Sequence, residues 1–325
     1  MLLNLQPLAR SSTLVRALSV MLYALLFSLK LLRRLAFDQI ERCRYMLAGF
    51  LLLALGACSN LQLGYNWGDT VALYYLDSYL DLDAEQEQQV SAGLKQLFDW
   101  HRQNQLPAYS RELSVAQQSL QGQLTLQQLS AMNEFLRVSL ERTSLQATPM
   151  LAELLLSLSP RQVAYLREQL ASSNAEYRAE YFSADQQQPS QRRYQLLLEQ
   201  FESWFGELDP QQLALLRVAN TDWPVDEQFW YAERLIRQQE MLATLEYAVQ
   251  QKPSVAQLQA RLQTYIRNFE RDREALRQAQ IARSRKHAMQ LIVAVANRAT
   301  AEQRQHAVAH AQQLIDDFDV LFAQR

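Results

Sequence analysis

The chain has 325 residues, a formal net charge of −2 and a hydrophobic fraction of 49%. This length is ample for a sizeable core, arranged as one elongated domain or two. The slightly acidic balance excludes a general electrostatic attraction to nucleic acid, which favours basic surfaces.

A short apolar run at residues 45–57 follows two arginines near the N-terminus. Its length fits the apolar part of a signal peptide, roughly 7–15 residues, and falls short of the roughly 20 that span a bilayer. A second short apolar run, at 17–29, precedes it. We therefore predict a leader at 1–57 whose start has been placed too early. The alternative is that the first run is a real N-terminal anchor.

The apolar run ends in two small residues and a cysteine, Leu55-Gly56-Ala57-Cys58. This motif resembles the lipobox of bacterial lipoproteins, in which the cysteine is diacylated and becomes the new N-terminus. The resemblance implies permanent attachment to a membrane through Cys58, because two or more acyl chains anchor a protein stably. Since Ser59 and not Asp follows the cysteine, it also implies the periplasmic face of the outer membrane. The alternative is a short membrane or core helix with a chance cysteine.

If the leader is cleaved, the remaining residues 58–325 contain 25 Lys and Arg against 32 Asp and Glu. Cys43 is lost with the leader, so we expect no structural disulfide and no cysteine-based metal or catalytic site. We divide the remainder into a lipidated tether with a first short helix, 58–82, and a helical domain, 83–325.

Scarce glycine and abundant leucine and glutamine favour helices throughout. Six helix starts share one signature, in which Ser, Thr or Asp at the N-cap is followed three residues later by Gln, as in a capping box. The N-cap residues are Asp83, Thr125, Ser159, Asp209, Ser254 and Thr300, and the glutamines are Gln86, Gln128, Gln162, Gln212, Gln257 and Gln303. The sequence therefore predicts an all-α fold, an elongated array or bundle of amphipathic helices.

Apolar residues behind these starts recur at spacings of three and four, which places them on helix faces that must be buried. The three clearest stripes are Val163, Leu166, Leu170, Tyr177 and Tyr181; Val255, Leu258, Leu262, Tyr265, Phe269 and Leu276; and Val308, Ala311, Ile315, Phe318 and Phe322.

Four segments, at 65–67, 75–82, 100–102 and 106–109, read Tyr-Asn-Trp, Tyr-Leu-Asp-Ser-Tyr-Leu-Asp-Leu, Trp-His-Arg and Leu-Pro-Ala-Tyr. Together they resemble a family of helical proteobacterial lipoproteins of unknown function. The resemblance implies a lipoprotein and supplies no activity. Separately, Leu124-Thr125-x-x-Gln128 is similar to the motif of small periplasmic stress chaperones of the Spy/CpxP type, although this chain is much longer. Plain helix capping is the alternative explanation of that motif.

Trp100, His101 and Arg102 form one candidate site at the end of a helical stripe. His101 is either a hydrogen-bonded core histidine or a general base, and no nucleophile motif or phosphate-binding loop accompanies it. His306 and His310, one turn apart, are expected on a solvated face because a metal site needs more ligands.

Two further groups of residues are candidates for a binding surface. Near two helix breaks lie the aromatic residues Trp204, Trp223, Phe229 and Trp230. They form either core or a groove for apolar peptide segments or lipid. A basic helix stretch ends in Arg283, Arg285 and Lys286. It is either a solvated face or a contact for lipid headgroups or an acidic partner.

These patterns favour a non-enzymatic lipoprotein that binds an envelope protein as a scaffold or accessory subunit. One alternative is a tethered, holdase-like chaperone, and another is a hydrolase that uses His101. We expect no cofactor, no metal and no nucleic acid partner, and no small-molecule substrate is indicated.

Overall fold

A computed structural model describes residues 60–182, 187–269 and 274–324. These residues form thirteen helices and include no strand, so the predicted all-α multi-helix fold is confirmed for this part of the chain. In chain order the helices are α1 Asn60–Asn66, α2 Gly68–Leu80, α3 Ala84–Asn104, α4 Leu106–Leu120, α5 Leu126–Gln146, α6 Thr148–Ser157, α7 Pro160–Tyr181, α8 Gln187–Phe205, α9 Pro210–Thr221, α10 Glu227–Gln251, α11 Val255–Asn268, α12 Ala275–Ala296 and α13 Ala301–Ala323.

Two compact units divide the chain, Met1–Gly64 and Tyr65–Arg325. Of the first unit, the structure describes only residues 60–64. All the packing discussed below lies within the second unit. None of the helices in the described ranges combines the length and the apolarity that crossing a membrane requires.

All six predicted helix starts carry a complete capping box. In each of them the N-cap side chain accepts the N3 backbone N–H, and the N3 glutamine side chain accepts the N-cap backbone N–H. These boxes open α3, α5, α7, α9, α11 and α13. An N-cap side chain stabilises its helix by about 1 kcal/mol. The signature depends only on residues three apart in sequence, which is why the sequence predicts it correctly.

The main hydrophobic core joins α2, α3, α6, α7, α10 and α11. Leucines supply most of it, and Val90, Leu154 and Leu258 are almost completely buried. Burying one such side chain contributes roughly 1.5–3 kcal/mol. The predicted stripe of α7, from Val163 to Tyr181, is buried at all five positions.

Three other stripe residues are exposed, contrary to the prediction. They are Val255, Leu276 and Phe322, which expose 42%, 61% and 46% of their surface. Val255 begins α11 and Phe322 lies in the last turn of α13, where the spacing continues but fewer neighbouring helices cover the side chain. Leu276 belongs to α12 and not to α11, so the stripe was extended beyond the end of its helix.

The last helix, α13, packs along α4. Ala116 of α4 and Ala307 and Ala311 of α13 are buried, and such small side chains allow two helices to approach closely. Arg304 donates hydrogen bonds to the carbonyl oxygens of Leu120 at 3.1 Å and of Gly122 at 2.6 Å. These carbonyls lie at the C-terminal end of α4, where helical partners are lacking. Arg304 therefore fixes the start of α13 against the end of α4.

The capping-box glutamines of different helices also bond to each other, in two pairs. Gln86 of α3 and Gln162 of α7 are buried, and their side-chain amides exchange hydrogen bonds of 2.6 and 3.3 Å. Gln212 of α9 and Gln303 of α13 exchange two hydrogen bonds of 2.9 Å. Each pair connects the N-termini of two helices that are far apart in sequence.

Candidate functional site

The predicted lipobox, Leu55, Gly56, Ala57 and Cys58, lies outside the described residues, as does the whole predicted leader. The other predicted site residues are described, and they lie in three regions of the second unit. These regions are the end of α3, the end of α8, and the surface where the start of α10 and the loop before it face α12.

The end of α3 carries a group of rings around His101. The Nδ1 atom of His101 lies 2.9 Å from the hydroxyl of Tyr65, and its Nε2 atom lies 3.5 Å from the hydroxyl of Tyr109. Tyr65 meets Phe98 edge-on, and Tyr109 packs against Phe318 of α13. We call these five residues the His101 cluster. The cluster joins the end of α1 to α3, α4 and α13.

Burial sets the protonation states in the His101 cluster. Desolvation lowers the pKa of His101 and raises the pKa of Tyr109. It also raises the pKa of Tyr65 to about 12, against the opposing effect of the Arg102 charge. At neutral pH the imidazole is therefore neutral and both hydroxyls are protonated. One ring nitrogen then accepts a hydrogen bond and the other donates one, so both are engaged.

Arg102 connects this cluster to the C-terminal end of α13. It donates hydrogen bonds to the Leu321 carbonyl oxygen at 3.0 Å and to Asn66 Oδ1 at 3.2 Å. Its guanidinium lies 5.2 Å from the centre of the Tyr65 ring. Asn66 in turn donates to the side-chain oxygen of Gln324 at 3.2 Å. The first and last described segments of this unit therefore meet at one network.

The lowered pKa of His101 predicts a loss of stability in mild acid. Between its ordinary pKa near 6.5 and the lower folded value, the unfolded chain binds a proton that the folded chain does not. The free energy of unfolding should therefore fall as the pH falls through this range, and the half-buried His310 adds in the same direction. In His101→Gln the slope of unfolding free energy against pH, measured by urea titration at pH 7 and pH 5, should be smaller. A slope equal to that of the wild type would contradict this prediction.

Trp204, at the end of α8, is half-buried against α13. Its ring centre lies 4.7 Å from that of His310, edge to face, and its carbonyl oxygen lies 3.0 Å from Nδ1 of His306. The predicted solvated face is confirmed for His306, which is exposed, and is wrong for His310, whose ring packs on Trp204. Within the described ranges, no group of three or more His, Cys, Asp or Glu residues is placed to hold a metal ion.

The remaining aromatic residues lie around the start of α10. Trp223 precedes this helix, and its ring centre lies 5.0 Å from that of His287 on α12. Phe229 and Trp230 meet each other at 5.1 Å. All three are half-buried. Their neighbours lie on α10 and α12, whereas Trp204 contacts α13. The four aromatic residues therefore lie in three places: Trp204 against α13, Trp223 against α12, and Phe229 beside Trp230.

The basic residues lie on α12, the helix whose His287 contacts Trp223. Arg283 and Lys286 are exposed, and Arg285 is half-buried. Arg283 comes one helical turn before His287, so the two share a side of the helix. We call Arg283, His287 and Trp223 the α12 face. Trp223 contacts His287 on one side and the Arg193 guanidinium, 5.7 Å from its ring centre, on the other, and Arg283 lies one turn along α12 from His287.

The fold and these contacts define a multi-helix unit in which the first and last described segments, Tyr65–Asn66 and the end of α13, meet at a histidine–tyrosine cluster. The chain belongs to the family of unknown function DUF6279, whose model matches residues 78–272. The match extends from the end of α2 to just beyond α11 and agrees with the predicted family of unknown function. No curated protein and no solved structure matches the chain.

Proposed function

We propose that the chain is a lipoprotein held by Cys58 in the outer membrane, on the periplasmic side, and that it acts by binding an envelope protein. The observation that carries the proposal is Leu55-Gly56-Ala57-Cys58 at the end of a short apolar run. A cysteine thiol accepts the lipid, and two acyl chains make the attachment stable. Ser59, in place of Asp, supports the outer membrane as the destination.

A role in binding, and not in catalysis, is supported by the state of His101. Both of its ring nitrogens face tyrosine hydroxyls, which leaves neither available to a substrate in this arrangement. With a pKa of about 12, Tyr65 is almost entirely protonated at neutral pH and is therefore a weak nucleophile. The hydrolase alternative lacks an activated nucleophile in this cluster.

The α12 face supports the existence of a protein partner. It contains the half-exposed Trp223 and, one helical turn from the His287 that Trp223 contacts, the exposed Arg283, and Trp and Arg are residue types that often dominate binding energy at interfaces. An acidic or amphipathic segment of an envelope protein matches this chemistry. We therefore place the primary contact with the partner on this face.

Photo-crosslinking in intact cells tests the binding role. A photoreactive phenylalanine analogue at position 283 should yield one discrete adduct with a single envelope protein. The same analogue at position 95, where Lys95 is exposed and pairs with Asp99 of its own helix, is the matched control and should yield none. Equal adducts at both positions, or no adduct at position 283, would contradict the proposal.

A second candidate function, a tethered holdase, is favoured by one observation. Helix α5 begins with the Leu124-Thr125-x-x-Gln128 motif and exposes Leu136 and Leu140 by 37% and 67%. Ser139 is its one fully buried residue. Exposed leucines on a loosely covered helix suit transient binding of unfolded chains.

If the protein is a holdase, replacing Leu136 and Leu140 with serine should markedly reduce its suppression of client aggregation, measured by light scattering. Val115→Ser on α4, which is 54% exposed, is the matched control and should keep full suppression. Unchanged suppression in the double variant would exclude this use of α5.

A further inference from the structure

We infer that the exposed face of α2, formed by Trp67, Thr70 and Tyr74, lies against the headgroup region of the membrane that holds Cys58. This inference rests on the proposed lipid anchor. Beyond the anchor itself, it assigns the α2 side of the helical unit as the side that faces the bilayer.

Helix α2 has a side that faces the core and a side that is exposed, centred about 120° apart around the helix axis. Leu73, Leu76 and Leu80 point into the main core. On the other side, Trp67 at the N-cap and Tyr74, two turns further on, expose 58% and 67% of their surface. Thr70 lies between them and is also exposed. The exposed face therefore carries two large aromatic rings about 10 Å apart, and the carboxylate that follows them on this face, Asp77, accepts the Leu82 backbone N–H.

The position of Trp67 on the unit is fixed by its neighbours. Tyr65, two residues before Trp67 in the chain, is hydrogen-bonded to His101. Gly68, one residue later, lies directly against the Phe98 ring, where a Cβ atom would overlap it. The chain on either side of Trp67 therefore packs on α3, through Tyr65 and Gly68. These contacts fix the backbone at Trp67, and its indole points away from α3 into solvent.

The covalent chain limits how far this face lies from the anchor. Six residues, 59–64, separate Cys58 from Tyr65. Even fully extended, the nine steps from Cys58 to Trp67 reach roughly 30 Å. Most of that stretch belongs to α1, which rises only about 1.5 Å per residue, so the real span is shorter. The side of the unit that carries Trp67 is therefore the side kept closest to the bilayer.

The residue types match the headgroup region. Trp and Tyr collect at membrane interfaces because each has an apolar ring and one polar group that stays hydrated. Residues 60–80 contain no Lys or Arg that would favour anionic lipids, so a zwitterionic bilayer is sufficient. We therefore expect the two rings to insert among phosphatidylcholine headgroups when the protein is tethered.

Tryptophan quenching in vesicles tests this orientation. Protein purified from membranes is reconstituted into phosphatidylcholine vesicles with or without bromine on the acyl chains. The chain has five tryptophans, so the emission of Trp67 is obtained as the difference between the wild type and Trp67→Phe. This difference emission should fall about two-fold in brominated vesicles, as for an indole at the interface. The corresponding difference for Trp204→Phe should not change.

Two measurements on the same sample test the lipid anchor and the membrane orientation separately. The intact mass of the same sample reports whether Cys58 carries lipid, which tests the proposed function. If it carries none, Cys58 is coupled to a maleimide phospholipid and the quenching is repeated. A Trp67 emission that brominated lipid does not quench, while aqueous acrylamide does, would overturn the orientation in either sample.

Discussion

The Cys58→Ala variant should incorporate no palmitate and should disappear from the outer-membrane fraction. The physical reason is that in the proposed lipoprotein the acyl chains supply the attachment, at about 0.8 kcal/mol for each buried CH2 group. No helix in the described ranges offers a membrane-crossing segment as a substitute. The measurement is radiolabelled palmitate incorporation followed by fractionation of the envelope. We expect labelling to fall to background.

The chain contains its own control for this experiment. Cys43 is the only other cysteine, and the proposal places it in the leader. Cys43→Ala should therefore leave both labelling and fractionation unchanged. Undiminished labelling of Cys58→Ala, or loss of labelling in Cys43→Ala, would show that the lipid is attached elsewhere or is absent.

The Gln212→Ala variant should lower the free energy of unfolding by about 3 kcal/mol. The substitution removes half of a capping box, worth about 1 kcal/mol, and both hydrogen bonds with Gln303, worth roughly 0.5–1.5 kcal/mol each, although Gln303 keeps its bond to the Glu207 carbonyl. Gln212 is completely buried, so water cannot replace the lost hydrogen bonds. For a domain of this size, the melting temperature should fall by about 6–12 °C.

Gln257→Ala is the matched control for that loss. Gln257 completes the same kind of capping box at the start of α11, but its side chain is exposed. Losing the same local bond there should cost only about 1 kcal/mol. Thermal unfolding followed by circular dichroism compares the two variants. Equal losses would mean that the pairing of Gln212 with Gln303 contributes nothing.

The contrast between these two glutamines shows what the sequence could predict. The N-cap residue and the glutamine three positions later interact within one helical turn, so all six capping boxes could be predicted from local sequence. Whether a glutamine is then buried against another depends on which helices pack together. Nothing in the sequence around Gln212 and Gln303, 91 residues apart, indicates that they meet.

The His101 cluster shows the same limit. The sequence singled out His101 at the edge of a stripe, and the structure confirms that it is hydrogen-bonded there. Its partners, Tyr65 and Tyr109, lie on two other helices and were not predicted as partners. Leu276 shows the opposite error, since regular spacing was followed past the end of α11 into a different helix. Spacing predicts the face of a helix but not where the helix ends.

The central claim is that the protein is held in the membrane by lipid on Cys58. Mass spectrometry of the N-terminal peptide, from protein purified out of the outer-membrane fraction, tests it most directly. We predict a peptide that begins at Cys58, carries a diacylglycerol on that cysteine and contains no residue of the leader. A peptide that begins upstream of Cys58, or an unmodified cysteine at that position, would contradict it.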